Sequence, residues 1–139
     1  MRRSAADIAA AAAVAAVVSG VPSTVYAIAT GRPVLEATQA AGSMVLPRET
    51  RQAVLVAAAA PLHVALSAFW ATVLAASLPR RRPVLWGAVG GTAIAALDLG
   101  VIGRRFPRIR ALPAGAQIAD HVVFGAAVAT VLARRSRRR

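Results

Sequence analysis

The sequence contains no cysteine and no lysine, and it has only five acidic residues. Without cysteine the chain can form no disulfide, no thiolate metal site and no cysteine nucleophile. Its 17 basic residues are all arginine and give a formal net charge of +12. The arginines form short clusters between apolar runs, whereas a nucleic-acid-binding stripe needs them interleaved with polar or aromatic residues. We therefore expect no nucleic acid among the partners.

Motifs for catalysis are also missing. The glycines at 87–91 open an apolar run and have no suitably placed Lys, Ser or Thr, so they do not form a phosphate-binding loop. No spacing of a nucleophile, a base and an orienting residue is present. We expect a protein that is not an enzyme and that holds no cofactor.

Long apolar runs dominate the chain. The hydrophobic content of 58% and the mean hydropathy of +0.60 exceed those of ordinary soluble domains. Four runs, at about 8–29, 53–78, 84–103 and 114–133, each reach the roughly 20 residues that cross a bilayer core as a helix. The sequence therefore predicts an all-α integral membrane bundle of four transmembrane helices, forming one domain over residues 1–139.

The arginine distribution predicts the orientation of this bundle. An even number of spans places both termini on one side, which then carries ten arginines against seven on the other. The positive-inside rule places the termini in the cytoplasm of a multi-pass protein of the cell membrane. One alternative is that the first run is a secretory signal, because Arg2 and Arg3 precede it and small residues follow it. Cleavage would leave three spans with the same orientation.

The segment VLEATQAAGSMVL, at 34–46, lies between Pro33 and Pro47 and is too short and too polar to span a bilayer. Its composition predicts a short helix at the outer membrane interface. An irregular loop is the alternative.

Ionisable residues interrupt three of the apolar runs. Because a charge in the bilayer centre is costly, such residues normally face protein or water. At 1.5 Å per residue, all of them lie between ~8 and ~15 Å below the same surface. In the fourth run an amide falls angularly between the two ionisable side chains, which makes one polar arc. We expect these residues to form one intramembrane polar cluster: His63, Asp98, Gln117, Asp120 and His121.

The third run also carries small residues on one face. Gly87, Gly91, Ala95 and Asp98 fall within a narrow arc, and the spacing of the two glycines allows close approach of helix backbones. This pattern predicts a helix-packing face with Asp98 directed into the bundle. It also favours a homo-oligomer that associates through the small-residue faces of the second and third helices.

Three functions are compatible with the polar cluster. A structural or accessory protein would use interhelical hydrogen bonds to fix the register of its Ala-rich helices. A proton-coupled or small-solute transporter subunit would exchange protons between the carboxylates and the histidines. A haem-binding protein would use His63 and His121 as the two axial ligands.

The C-terminal tail is strongly basic over residues 134–139. Basic residues next to a span are attracted to anionic lipid by about 1 kcal/mol each. We expect the lipid bilayer as a partner, with anionic lipid at Arg134, Arg135, Arg137, Arg138 and Arg139.

Three segments carry a resemblance to known proteins: GVPSTVYAIATGRP at 20–33, ALDLGVIGRRFPRIRALP at 96–113 and ADHVVFGAA at 119–127. With them the chain resembles a group of uncharacterised small four-helix integral membrane proteins of high-GC bacteria. The likeness covers most of the chain. It implies the four-helix architecture and adds no mechanism.

Overall fold

The computed structural model describes residues 3–137, and these residues are 81% helical and contain no strand. Four stretches are long and apolar enough to cross a membrane: Ala5–Thr30, Gln52–Ser77, Pro83–Arg105 and Ala114–Ser136. The predicted all-α chain with four long apolar helices is confirmed.

The first stretch is divided into two helices. Helix α1 covers Ala5–Val18 and helix α2 covers Val21–Thr30. Pro22 is the second residue of α2, and its ring prevents the hydrogen bond that would continue α1 through this point. Helix α2 ends at Gly31, whose φ of 69° lies in the left-handed region that favours glycine.

Two helices of very different length follow. Helix α3 covers Glu36–Val45, so the segment at 34–46 is a short helix and not an irregular loop. Helix α4 covers Gln52–Ser77 and continues through Pro61. Helices α3 and α4 pack against each other.

The third apolar stretch changes its winding along its length. Helix α5 covers Pro83–Leu97 and is followed by a π-helical turn, Asp98–Ile102, and a 3₁₀ turn, Gly103–Arg105. We expected one regular helix over 84–103. The amide of Gly103 instead donates to the carbonyl of Asp98, five residues earlier, which is the π-helical spacing.

Helix α6 is a single turn over Pro107–Arg110, and helix α7 covers Ala114–Ser136. Helix α7 lies at the centre of the bundle, because it packs against α1, α2, α4 and, most extensively, α5. Helices α4 and α5 are joined by a short link, yet they contact each other little within the described residues.

Glycine allows α5 and α7 to approach closely. A Cβ atom at Gly91 would overlap the carbonyl oxygen of His121, and one at Gly125 would overlap the carbonyl oxygen of Gly87. The nearby Ala95 is also buried. The small-residue face of α5 is therefore covered by α7 of the same chain, and association between copies stays a prediction.

The two ends of the described chain pack together. Asp7 forms a capping box with Ser4 at the start of α1 and accepts a 2.6 Å hydrogen bond from Nε of Arg135. Arg3 donates to the carbonyl groups of Leu74, Ala75 and Leu78 at the end of α4. We expected Arg135 to face lipid in a tail beyond the last helix, but α7 extends to Ser136 and Arg135 is ion-paired. Arg138 and Arg139 lie outside the described residues.

Candidate functional site

The break in the first span exposes backbone groups that a continuous helix would pair. The last carbonyl groups of α1 and the first amide groups of α2 have no partner within their own helices. In a hydrocarbon environment each unpaired group of this kind costs several kcal/mol. Two of the ionisable residues identified in the sequence bind these groups.

Asp120 binds the start of α2. Its Oδ1 accepts the backbone amide hydrogen of Ser23 at 2.9 Å, and Ser23 is the third residue of α2. A carboxylate at this position is also attracted by the positive end of the helix dipole. Asp120 therefore caps α2 from a different helix, α7, which supplies the cap that the local sequence of α2 lacks.

His63 binds the end of α1. Its Nε2 lies 2.9 Å from the carbonyl oxygen of Ala16, in the last turn of that helix. Because a carbonyl oxygen only accepts, this Nε2 carries the hydrogen. The His63 residue is exposed on the outside of the bundle, although its ring reaches the break from α4.

Asp98 and His121 form a second polar contact, between the π-helical turn and α7. His121 Nδ1 lies 2.7 Å from the carbonyl oxygen of Gln117, so Nδ1 is the donor. His121 Nε2 lies 3.3 Å from Oδ2 of Asp98. A hydrogen bond over this distance requires one proton shared by the pair, either on the carboxyl oxygen or on Nε2. In both forms the pair has no net charge.

The residues of the predicted polar cluster thus form several separate contacts and not one cluster. Asp98, His121 and the backbone of Gln117 come together, and Asp120 faces α2. Within residues 3–137, His63 has its hydrogen bond to α1 and none to the other four.

The backbone partners at Ala16 and Ser23 were not predicted from the sequence. Gly20 followed by Pro22 was the signal for them, because these two residues punctuate an otherwise continuous apolar run. Gly125 on α7 was also not predicted. Its signal was the small-xxx-small spacing of Gly125 and Ala129, which matches that of the two glycines on α5.

A small cavity lies beside Ser23, where α2, α3 and α7 meet. Ser23, Tyr26 and Gln117 contribute polar groups to its wall. Its volume of ≈ 20 Å³ holds about one water molecule. Neither Asp98 nor His121 lines this cavity, so it does not connect their shared proton to the surface.

Two acid–base pairs lie in the loops at the same end of the bundle. Arg32 donates two hydrogen bonds to Glu36, at 2.9 and 2.7 Å, and these bonds raise the pKa of Arg32. Glu49 accepts from the side chain and amide of Arg51, which lowers the pKa of Glu49 to about 2. Arg108 in α6 also donates to the carbonyl of Glu49 at 3.2 Å, and this bond joins α6 to the loop before α4.

The described part of the chain brings together no group of three or more His, Asp or Glu side chains that could hold a metal ion. A haem with two histidine ligands would need an available ring nitrogen from each histidine. Both nitrogens of His121 and Nε2 of His63 are already hydrogen-bonded. The geometry therefore offers no observation in favour of haem ligation.

Comparison with known proteins adds no assignment to this site. No family model, no curated protein and no solved structure matches the chain. The resemblance to small four-helix membrane proteins stays a prediction, and the function must be inferred from the geometry described above.

Proposed function

We propose that this chain is a multi-pass protein of the cell membrane with a structural or accessory role, with both termini in the cytoplasm and no enzymatic activity. Four long apolar helices support the membrane location. A helix at 36–45, between the first two spans, would lie at the outer interface. The ionisable residues inside the spans would then serve the fold.

One observation carries this proposal: side chains from two other helices bind the two ends of the break in the first span. Asp120 accepts the amide of Ser23, and His63 donates to the carbonyl of Ala16. These contacts give two intramembrane ionisable residues a structural purpose. They hold α1 and α2 in one orientation and join both to α4 and α7.

The membrane location and orientation can be tested together. We expect the protein to remain with membranes after carbonate extraction, and we expect a reporter fused after Arg139 to be active only in the cytoplasm. Release by carbonate would contradict the membrane location. Reporter activity on the outer side would contradict the orientation.

A proton-coupled or small-solute transporter is the second candidate, and two features favour it. Discontinuous helices with ions near their ends occur at transporter binding sites. The Asp98–His121 pair also shares one proton inside a candidate span. However, the cavity beside Ser23 has space for only about one water and is not lined by Asp98 or His121, so the structural role is better supported.

Proton flux into proteoliposomes loaded with a pH-sensitive dye separates the two candidates. A structural protein should give the flux of protein-free vesicles. Flux above that level that disappears in Asp98→Asn, and persists in a Glu49→Gln control, would favour the transporter. Glu49 is a suitable control because it is an acid outside the candidate spans.

The haem alternative has a simple test of its own. We expect the purified protein to show no Soret absorption band after expression with added haem. A band that is lost in both His63→Ala and His121→Ala would establish haem ligation and overturn this expectation.

A further inference from the structure

A second, larger cavity lies where α5 begins and α7 ends, at the opposite end of the bundle from the loop ion pairs. Its volume is ≈ 450 Å³. The lining includes three arginines and the first turn of α5: Arg82, Val84, Leu85, Thr130, Arg134 and Arg137. No acidic side chain contributes to this lining.

Within residues 3–137, no ion pair joins any of these three arginines to an acidic side chain. There are only five acidic residues. Each of them already has a partner: Asp7 with Arg135, Glu36 with Arg32, Glu49 with Arg51, Asp98 with His121, and Asp120 with Ser23. Three arginines therefore line one cavity to which no acidic side chain contributes, and a bound anion would reduce the repulsion between their positive charges.

The backbone at the start of α5 adds two donors. Pro83 occupies the first position of the helix, and no side chain caps it. Within the described residues, the amide groups of Val84 and Leu85 have no hydrogen-bond partner. Amide groups at a helix N-terminus are suited to phosphate oxygens. Arg82, just before the helix, has a φ of 50°, and such left-handed residues cluster at ligand-binding sites.

The wall of the cavity continues into an apolar surface. Leu85 is 54% exposed, and Val89, one turn further along α5, is 49% exposed. Trp86 beside them is also 49% exposed, and exposed tryptophan is enriched where a span meets the headgroup region. A ligand with a charged head and an apolar chain fits this arrangement better than a free anion does.

We propose that this cavity binds the phosphate group of an anionic membrane lipid. The guanidinium groups of Arg82, Arg134 and Arg137 contact the phosphate oxygens together with the two free amides, and the acyl chains lie along Leu85 and Val89. Unlike a general attraction of the basic tail, this site includes Arg82 and excludes the ion-paired Arg135. The inference rests on the proposed membrane location.

The test compares two variants of the full chain with equal loss of charge. Arg82→Gln/Arg134→Gln/Arg137→Gln removes the site, and Arg104→Gln/Arg105→Gln/Arg110→Gln removes three arginines outside the cavity lining. Binding of phosphatidylglycerol to detergent-purified protein is measured by native mass spectrometry, with phosphatidylcholine as the reference lipid. At about 1 kcal/mol per arginine we expect the site variant to bind phosphatidylglycerol about 100-fold more weakly, and the control to bind it unchanged.

Equal losses in both variants would show that net charge alone attracts the lipid and would overturn the site. Competition by inorganic phosphate at the same concentration as the lipid would identify a free-phosphate site and overturn the lipid assignment. If the triple variant does not fold, Arg137→Gln alone should weaken binding about fivefold at an unchanged helix content. Unchanged binding in that variant would also overturn the site.

Carbonate extraction of the same wild-type membranes distinguishes failure of this inference from failure of the proposed function. A membrane-retained protein with equal lipid binding in all variants refutes the site alone. Release of the wild-type protein refutes the membrane location on which the site depends.

Discussion

The first and third candidate spans both leave regular α-helical winding, but their backbone groups are paired in different ways. The first span stops between Val18 and Val21, and side chains from α4 and α7 bind the exposed backbone groups. The third candidate span changes to π-helical winding at Asp98. The backbone carbonyl of Asp98 still accepts a hydrogen bond, from the amide of Gly103, and its carboxyl group contacts His121. Ionisable side chains thus bind backbone groups of the first candidate span, whereas in the third the ionisable side chain of Asp98 contacts another ionisable side chain. Neutral substitutions should separate these roles.

The largest effect is expected at Asp120. Asp120→Ala leaves the amide of Ser23 without a partner and should lower the free energy of unfolding by about 1–2 kcal/mol. Asp120→Asn keeps an accepting oxygen and should lower it much less. Unfolding in mixed micelles, followed by tryptophan fluorescence, measures both. Equal losses in the two variants would mean that the negative charge, and not the hydrogen bond, stabilises α2.

His63 should show a smaller effect of the same kind. His63→Ala removes the donor to the carbonyl of Ala16 and should lower the free energy of unfolding by about 0.5–1 kcal/mol. The loss is smaller than at Asp120 because His63 is exposed and its imidazole is less desolvated in the folded state. His63→Gln keeps a donor and should recover part of the loss. The same unfolding assay applies, and a wild-type value for His63→Ala would show that this contact does not stabilise the break.

Asp98 should be the most tolerant of the three positions. In Asp98→Asn the amide can donate to Nε2 of a neutral His121, so we expect a change in unfolding free energy within about 0.5 kcal/mol. Nitrogen NMR of His121 should then show the hydrogen on Nδ1 at neutral pH. A large destabilisation would indicate that the native pair depends on an ionised carboxylate facing an imidazolium.

The smallest effect is expected at the ion pair of Glu49 and Arg51, which lies outside the candidate spans. Because solvent screens this pair, it serves as a reference for the contacts inside the spans. The pKa of Glu49 is lowered to about 2 from 4.5, so its contact with Arg51 persists well below pH 4.5 and is lost as the pH falls through about 2. Arg51→Gln should move the carboxyl NMR titration back toward 4.5, with no measurable change in stability. An unchanged titration would assign the shift to the backbone amides alone.

Sequence patterns predicted the features that repeat along a helix. Apolar runs of about 20 residues predicted the four long helices, and angular position directed Asp98 into the bundle, where it contacts His121. The same periodicity assumes regular winding. It therefore did not detect the break after Val18, although Gly20 and Pro22 mark it in the sequence, or the π-helical turn at Asp98.

Contacts between residues far apart in the sequence could not be predicted, for a related reason. Asp7 and Arg135 are 128 positions apart, and nothing in either local sequence identifies the other as its partner. Counting arginines by side predicts an orientation, but counting cannot distinguish a paired arginine such as Arg135 from a free one. The cavity arginines at 82, 134 and 137 become distinctive only after every acid has been assigned.

The central position of α7 has a consequence for biosynthesis. A ribosome makes the first span long before α7, so Asp7 and the amide of Ser23 emerge without Arg135 and Asp120. In the proposed membrane location, the nascent protein would have to hold these groups in the translocon, or against water and headgroups, until the last helix is released. Stalled or truncated chains that end before residue 114 should therefore be preferred substrates of membrane quality-control proteases, even though three of the four candidate spans are already present.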